Sequence, residues 1–358
     1  MKSKILISCL ILMFVTGCAS NDSMATDENV IILSKTDKNQ YARVIPYELS
    51  LARYWHGNKL SRFDPIVVEK GLEERAKEYF SVNSYLQGAG KLLDADQMFM
   101  LQRHASDNYP YGLNPPLGDF EVTGAIVVSD PYIIYDVVEM DFYSVDNSNK
   151  LTGLAFVILM NSAVRDGEGS TVTIPVERLY SYGSDMGRKL EKYIRTLRGV
   201  DADCPIYITL YASSLPDSSL PGVFIGDAYF TGRSGQFRAI HEEWALFPSD
   251  KAQRLDATLY AQFVAMKNAL HYFLPENVDI TGLGRFENDQ AQSLKITMNV
   301  QAKTYSEVSA LAQYTAQLCN DMDTTMLDLS IEIKMFDKTY FTMVKRQGES
   351  EMSIHDIS

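Results

Sequence analysis

Leu151-Thr152-Gly153-Leu154-Ala155-Phe156-Val157-Ile158-Leu159-Met160 is a nearly unbroken apolar run in a chain of 358 residues. A strand with one wet face would alternate apolar and polar residues, so a run of this kind suits a strand covered on both faces. Downstream, the spacing of Leu179, Met186, Leu190, Ile194 and Leu197 predicts a helix from Pro175 to Arg198 with one apolar stripe. Pro175 suits its first turn and Gly199 its stop. Ile206 to Tyr211 and Val223 to Phe230 then read as two further strands.

The same order recurs nearer the C-terminus. Leu255, Leu259, Phe263, Met266 and Leu270 predict a helix from Ser249 to Phe273, which Pro275 helps to stop. Leu294, Ile296, Met298 and Val300 alternate with polar residues, as do Leu327, Leu329, Ile331 and Ile333, and both sets read as half-buried strands. Between them Thr304 can cap a helix from Tyr305 to about Asn320, with Val308, Leu311, Ala312, Thr315 and Leu318 on one face. Tyr340 to Val344 reads as a last strand. Even the junctions correspond, Asp201-Ala202-Asp203 and Asp321-Met322-Asp323 each lying between helix and strand. The expectation is an α+β fold of two similar units from an internal duplication, each with its helices on one face of a mostly antiparallel sheet. The first unit, with N-terminal helices, spans 42–248 and the second 249–346; they join near Phe247-Pro248-Ser249, and a polar tail fills 347–358.

Hydrophobic residues make up 46% of the chain and charged residues 22%, which excludes a disordered polymer. A formal net charge of -13, without a basic cluster, argues against nucleic acid as a partner. Lys2 and Lys4 precede an apolar stretch, Ile5 to Val15, far short of the roughly 20 residues that span a bilayer. It ends Val15-Thr16-Gly17-Cys18, the pattern of a bacterial lipoprotein cleavage site. Residues 1–17 are therefore expected to be a signal peptide cut between Gly17 and Cys18, with the Cys18 thiol taking a diacylglycerol. The expected location is the outer face of the cytoplasmic membrane, with the membrane and the lipoprotein-processing enzymes as partners. Losing Lys2 and Lys4 takes the formal charge from -13 to -15, and residues 18–41 read as a lipidated flexible tether that keeps this acidic body off anionic lipid. Of the remaining cysteines, Cys204 and Cys319 are left as either a disulfide or two buried thiols.

Several segments in sequence carry a family resemblance. Tyr111-Gly112-Leu113-Asn114-Pro115, Glu139-Met140-Asp141-Phe142-Tyr143, Leu159-Met160-Asn161-Ser162 and Ala245-Leu246-Phe247-Pro248-Ser249, with Pro205-Ile206, Tyr211 and Pro221-Gly222-Val223-Phe224 between them, form an ordered set. From about Tyr41 to the C-terminus the chain resembles the CamS sex-pheromone precursor lipoproteins of Gram-positive bacteria. The resemblance implies two products from one precursor: an anchored lipoprotein, and a small apolar peptide released from the end of the signal sequence that acts as a mating pheromone. By position that peptide is Ile11-Leu12-Met13-Phe14-Val15-Thr16-Gly17, ending in glycine where the family's active peptides end in alanine or serine.

The body offers little that resembles catalytic chemistry. His56, His104, His241, His271 and His355 sit in no recognisable catalytic motif. His241-Glu242-Glu243 begins like a zinc-protease helix, but Ala245 stands where the second histidine would be, so a polar turn before Trp244 is the expectation. Gly282-Leu283-Gly284 lacks the third glycine of a dinucleotide loop, Glu287 standing there, and the two acidic junctions lack the ligand series of a calcium loop. No catalytic residue, metal or cofactor is expected. Tyr109-Pro110-Tyr111-Gly112-Leu113-Asn114-Pro115-Pro116 cannot be helical and sets two tyrosines among rigid extended residues. Tyr109, Tyr111 and Asn114 are thus the candidates for a binding loop that would hold a peptide, a glycan or an envelope protein.

Overall fold

The structure, a computed structural model, describes residues 31–35, 37–45 and 63–358 apart from 233, 275 and 277. Its first unit runs β1 (Ile31–Leu33), β2 (Arg43–Ile45), α1 (Pro65–Ala76), β3 (Tyr85–Ala89), α2 (Ala95–Leu101), β4 (Asp119–Thr123), β5 (Ile126–Ser129), β6 (Ile134–Ser144), β7 (Asn147–Met160), β8 (Ala163–Arg165), β9 (Thr171–Thr173), α3 (Val176–Ile194), β10 (Ile206–Ala212), β11 (Val223–Phe230) and β12 (Arg238–Ala239). The second runs β13 (Glu242–Phe247), α4 (Asp250–Leu255), α5 (Ala257–Phe273), β14 (Val278–Glu287), β15 (Gln290–Val300), α6 (Tyr305–Asn320), β16 (Asp328–Met335), β17 (Lys338–Lys345) and β18 (Ser353–Asp356). The fold is α+β, as expected.

The Leu151–Met160 run forms the inner part of β7, near the middle of an eight-stranded sheet ordered β1-β2-β3-β6-β7-β10-β11-β12. Leu154, Phe156, Ile158 and Met160 pack on one side with Leu179, Leu190 and Ile194 of α3, while Ala155, Val157 and Leu159 pack on the other with Val68, Leu72 and Ala76 of α1. Both faces of the strand are dry, so neither can carry a polar residue without leaving it unpaired. The second sheet, β13-β14-β15-β16-β17-β18, is covered on one side only. Leu294, Ile296, Met298 and Val300 are buried against α5 and α6, and the intervening Lys295 and Asn299 are exposed.

At the centre of each sheet the strand pairing is the same. β6 pairs antiparallel with β7, β7 parallel with β10 and β10 antiparallel with β11. In the second sheet β14 pairs antiparallel with β15, β15 parallel with β16 and β16 antiparallel with β17. A parallel pair needs a crossover, and α3 and α6 supply it.

Several boundaries differ from the sequence expectation. Helices cover both faces of the first sheet rather than one, because α1 lies opposite α3. The expected helix from Ser249 to Phe273 is two helices: Asp256 takes an extended conformation (φ -149, ψ 94), and its carboxylate accepts the Leu259 amide to start α5. The expected tether through Tyr41 contains a strand, since Ile31–Leu33 pairs with Arg43–Ile45, and Tyr41 is buried with its hydroxyl donating to the Phe80 carbonyl. The expected polar tail contains β18, paired with β17, and a buried Met352. Glu242, expected in a turn, begins β13, so the second unit starts before Phe247-Pro248-Ser249.

No apolar cluster crosses from one unit to the other among the described residues: two clusters draw on residues 41–240 and the third on residues 245–352. The junction is polar instead. Arg75 of α1 reaches across to Glu242 and to Glu287, the latter at 2.8 Å, and Arg285 meets Glu242 at 3.2 Å. The Phe224 amide donates to Glu242 at 3.3 Å, and Trp244 Nε1 donates to the Gly222 carbonyl at 3.1 Å. The Glu242 side chain is only 3% exposed, so its charge depends on these partners.

Two outcomes test this packing. Arg75→Met leaves Glu242 buried with Arg285 as its remaining cation and lowers unfolding stability by about 3 kcal/mol, the low end for breaking a buried pair, as measured by urea denaturation. Cys204 and Cys319 are free, buried thiols in separate clusters, and burial pushes their pKa values up to about 11 and about 12. A soluble form beginning at Ala19 resists a thiol-specific chromogenic disulfide at neutral pH and releases two equivalents of chromophore once unfolded; rapid labelling of the folded protein contradicts the packing.

Candidate functional site

The loop carrying the candidate tyrosines begins where α2 stops. Asp94 caps α2 by accepting the Gln97 amide, and the Gln97 side chain accepts the Asp94 amide, each at 2.8 Å. Past the Gln102 C-cap, the chain folds back on itself through Leu113 N to Leu101 O at 2.8 Å, Asn114 N to Arg103 O at 3.1 Å and Ala105 N to Asn114 O at 3.0 Å. Gly112 is required here, because a Cβ at that position would stand 2.6 Å from the Arg103 carbonyl oxygen.

Asn114 pins this loop to the sheet. It is 1% exposed; its Oδ1 accepts the Ile134 amide at 2.7 Å, and its Nδ2 donates to the carbonyls of Ile134 and Gln102 at 3.0 and 2.9 Å. Those bonds place Asn114 in the framework beneath the surface. Tyr111 is half-buried, its ring centroid 4.7 Å from that of Tyr193, against the core of the first unit. Tyr109 is half-buried as well, but beside the Arg103 guanidinium. The three candidates therefore belong to one folded loop but do not share one open face.

Helix α3 supplies the other wall. Tyr182 donates to the Leu113 carbonyl and Lys189 to the Gly112 carbonyl, both at 2.6 Å. Burial raises the Tyr182 pKa and lowers that of Lys189. Between loop and helix lies a cavity of about 330 Å³, lined largely by Pro115, Pro116, Leu117, Phe120 and Met186, with Lys189 at its side. Met186 belongs to the apolar stripe expected from the sequence, but nothing local marks Tyr182 and Lys189, because the loop they face is distant in the chain.

Two carboxyl groups meet beneath the Gly90–Leu93 turn. Glu139 accepts the amides of Leu92 and Leu93 at 2.7 and 2.8 Å, while Asp141 accepts the Lys91 amide and the Tyr143 hydroxyl, each at 3.1 Å. Burial, and then the neighbouring Glu139 carboxylate, holds the Asp141 pKa well above the usual carboxylate range. Asp141 is 1% exposed and the donors around the pair are backbone amides and a tyrosine, which makes it a fastening for the turn.

His104 Nδ1 stands 2.6 Å from the Pro115 carbonyl oxygen, its ring packed on Tyr132. His241 is exposed and its carbonyl accepts the Asn288 amide, and His355 lies in the exposed strand β18. Among the described residues no group of three or more histidine, cysteine or acidic side chains lies close enough to hold a metal ion. No helix among them is long and apolar enough to cross a membrane. Cys18, the peptide Ile11 to Gly17 and His56 lie outside the described residues.

The solved structure of a sex pheromone precursor from Lactobacillus salivarius subsp. salivarius UCC118 matches this fold with a TM-score of 0.76, at 21% identity, over 92% of this chain and 99% of that one. The C-terminal domain of the sex pheromone staph-cAM373 precursor from Staphylococcus aureus matches with a TM-score of 0.68, at 22% identity, over 81% of this chain and 95% of that one. No match is found among curated proteins. The family model of the CamS sex pheromone cAM373 precursor matches residues 47–351, nearly the whole folded body, and the chain therefore belongs to that family.

Proposed function

We propose that this chain is a precursor with two products: a lipid-anchored, non-catalytic body on the outer face of the cytoplasmic membrane, and the short apolar peptide Ile11 to Gly17 cut from its signal sequence. The observation that carries this reading is the family match over residues 47–351 behind a sequence that ends its apolar stretch Val15-Thr16-Gly17-Cys18. Cleavage before Cys18 leaves a thiol for the diacylglycerol and frees a fragment whose last residue is Gly17. The stretch Ile5 to Val15 is too short to span a bilayer, so anchoring falls to the lipid.

A non-catalytic body accords with how its reactive groups are engaged. The thiols of Cys204 and Cys319 are buried, with raised pKa values that keep them from acting as thiolates. The Glu139 and Asp141 carboxyls are used on backbone amides under a turn. His104 is engaged with the Pro115 carbonyl.

Mass spectrometry of cells and medium tests both products. The expected outcome is a diacylglyceryl group on Cys18 and a free Ile11–Gly17 peptide; an unmodified Cys18 in a chain that keeps residues 1–17 contradicts the anchor. Cys18→Ser shifts the protein out of the lipid-modified fraction. Phe14→Ala abolishes any mating response to the medium while leaving the anchored body in place, and a response that survives the change overturns the assignment of the peptide.

A further inference from the structure

Arg103 stands one residue past the C-cap of α2, with its guanidinium carbon 3.7 Å from the centre of the Phe99 ring and 5.8 Å from that of Tyr109. Other half-buried arginines have polar partners: Arg43 meets Glu73, Arg75 and Arg285 meet Glu242, Arg195 meets Glu191, and Arg178 donates to the Glu121 carbonyl. Arg103 meets rings alone among the described residues. Its Nε is enclosed without a hydrogen-bond partner, and the residue as a whole is half-buried. In a chain of formal charge -13, a fixed guanidinium without a carboxylate is conspicuous.

A guanidinium stacked on aromatic rings keeps its planar fork of donors free for an oxyanion. Stacking also fixes the side chain before a ligand arrives, which reduces the ordering cost of binding. The Phe99 ring is 47% exposed and supplies apolar surface beside the cation. A single arginine suits a planar monoanion; phosphorylated ligands are ordinarily met by clusters of arginines.

We propose that Arg103, held between Phe99 and Tyr109, binds the free carboxylate end of an apolar peptide, with the peptide's last side chains resting on the exposed ring of Phe99. This site does not require that the chain's own signal fragment be released in the cell. Synthetic Ile11–Gly17 serves as a probe of the right chemistry, as the free acid and as the C-terminal amide, with inorganic phosphate as the competing oxyanion.

The test is titration of the soluble form beginning at Ala19, followed by calorimetry and by the Nε–Hε resonance of Arg103. The free acid is expected to shift that resonance, and the amide to bind at least tenfold more weakly. Arg103→Met is expected to lose the same factor with an unchanged melting temperature, and Arg103→Lys to recover only part of it, since lysine has charge without the planar fork. Equal binding of acid and amide, no binding of the acid, or displacement of the acid by an equal concentration of phosphate would each overturn the proposal. The resonance of the unaltered protein decides the matter even if the variants fold poorly.

Discussion

The parallel pairing of β7 with β10 is the constraint on which the first unit depends. Parallel neighbours cannot be joined by a tight turn, so the chain must leave the sheet, cross over and return. The crossover is α3, which seals one side of the sheet; α1, arriving from earlier in the chain, seals the other. β15 and β16 impose the same detour on the second unit, where α6 makes the crossing and α5 lies beside it, leaving the far face wet. The loop that carries Asn114 exists because α3 is there to be leaned upon: its Leu113 and Gly112 carbonyls are held by Tyr182 and Lys189 of that helix.

Much of this was legible in the sequence because the relevant forces are local in period. Leu151 to Met160 can be apolar throughout only if both faces are dry, and the alternation from Leu294 to Val300 can be kept only if one face is wet. Other features were illegible for equally physical reasons. Asp256 sits between two apolar turns whose spacing hides the break, and its role as a cap appears only in the backbone angle. Ile31–Leu33 and Ser353–Asp356 are too short to show a period, and they become strands because an edge is available to pair with.

The candidate site divides along the same line. Proline and glycine spacing correctly makes Tyr109 to Pro116 a non-helical loop, but nothing local reveals that Asn114 turns inward to Ile134 while Tyr109 comes to lie beside Arg103. The pairing of Phe99 with Arg103 does follow helical spacing, four residues apart, but so does that of Arg103 with Asp107, and the sequence alone does not decide between them. The meeting of Arg75 with Glu242 was not available, since it joins residues far apart in the chain through the packing of two units.

The separation of the apolar clusters has a consequence for heredity. Each half keeps its own dry interior, and among the described residues the halves meet through charges and hydrogen bonds such as those of Arg75, Glu242 and Trp244. A substitution that reshapes one interior is therefore not transmitted to the other. The halves are free to drift apart in sequence while each retains its pattern of strands, and selection on one surface need not disturb the other.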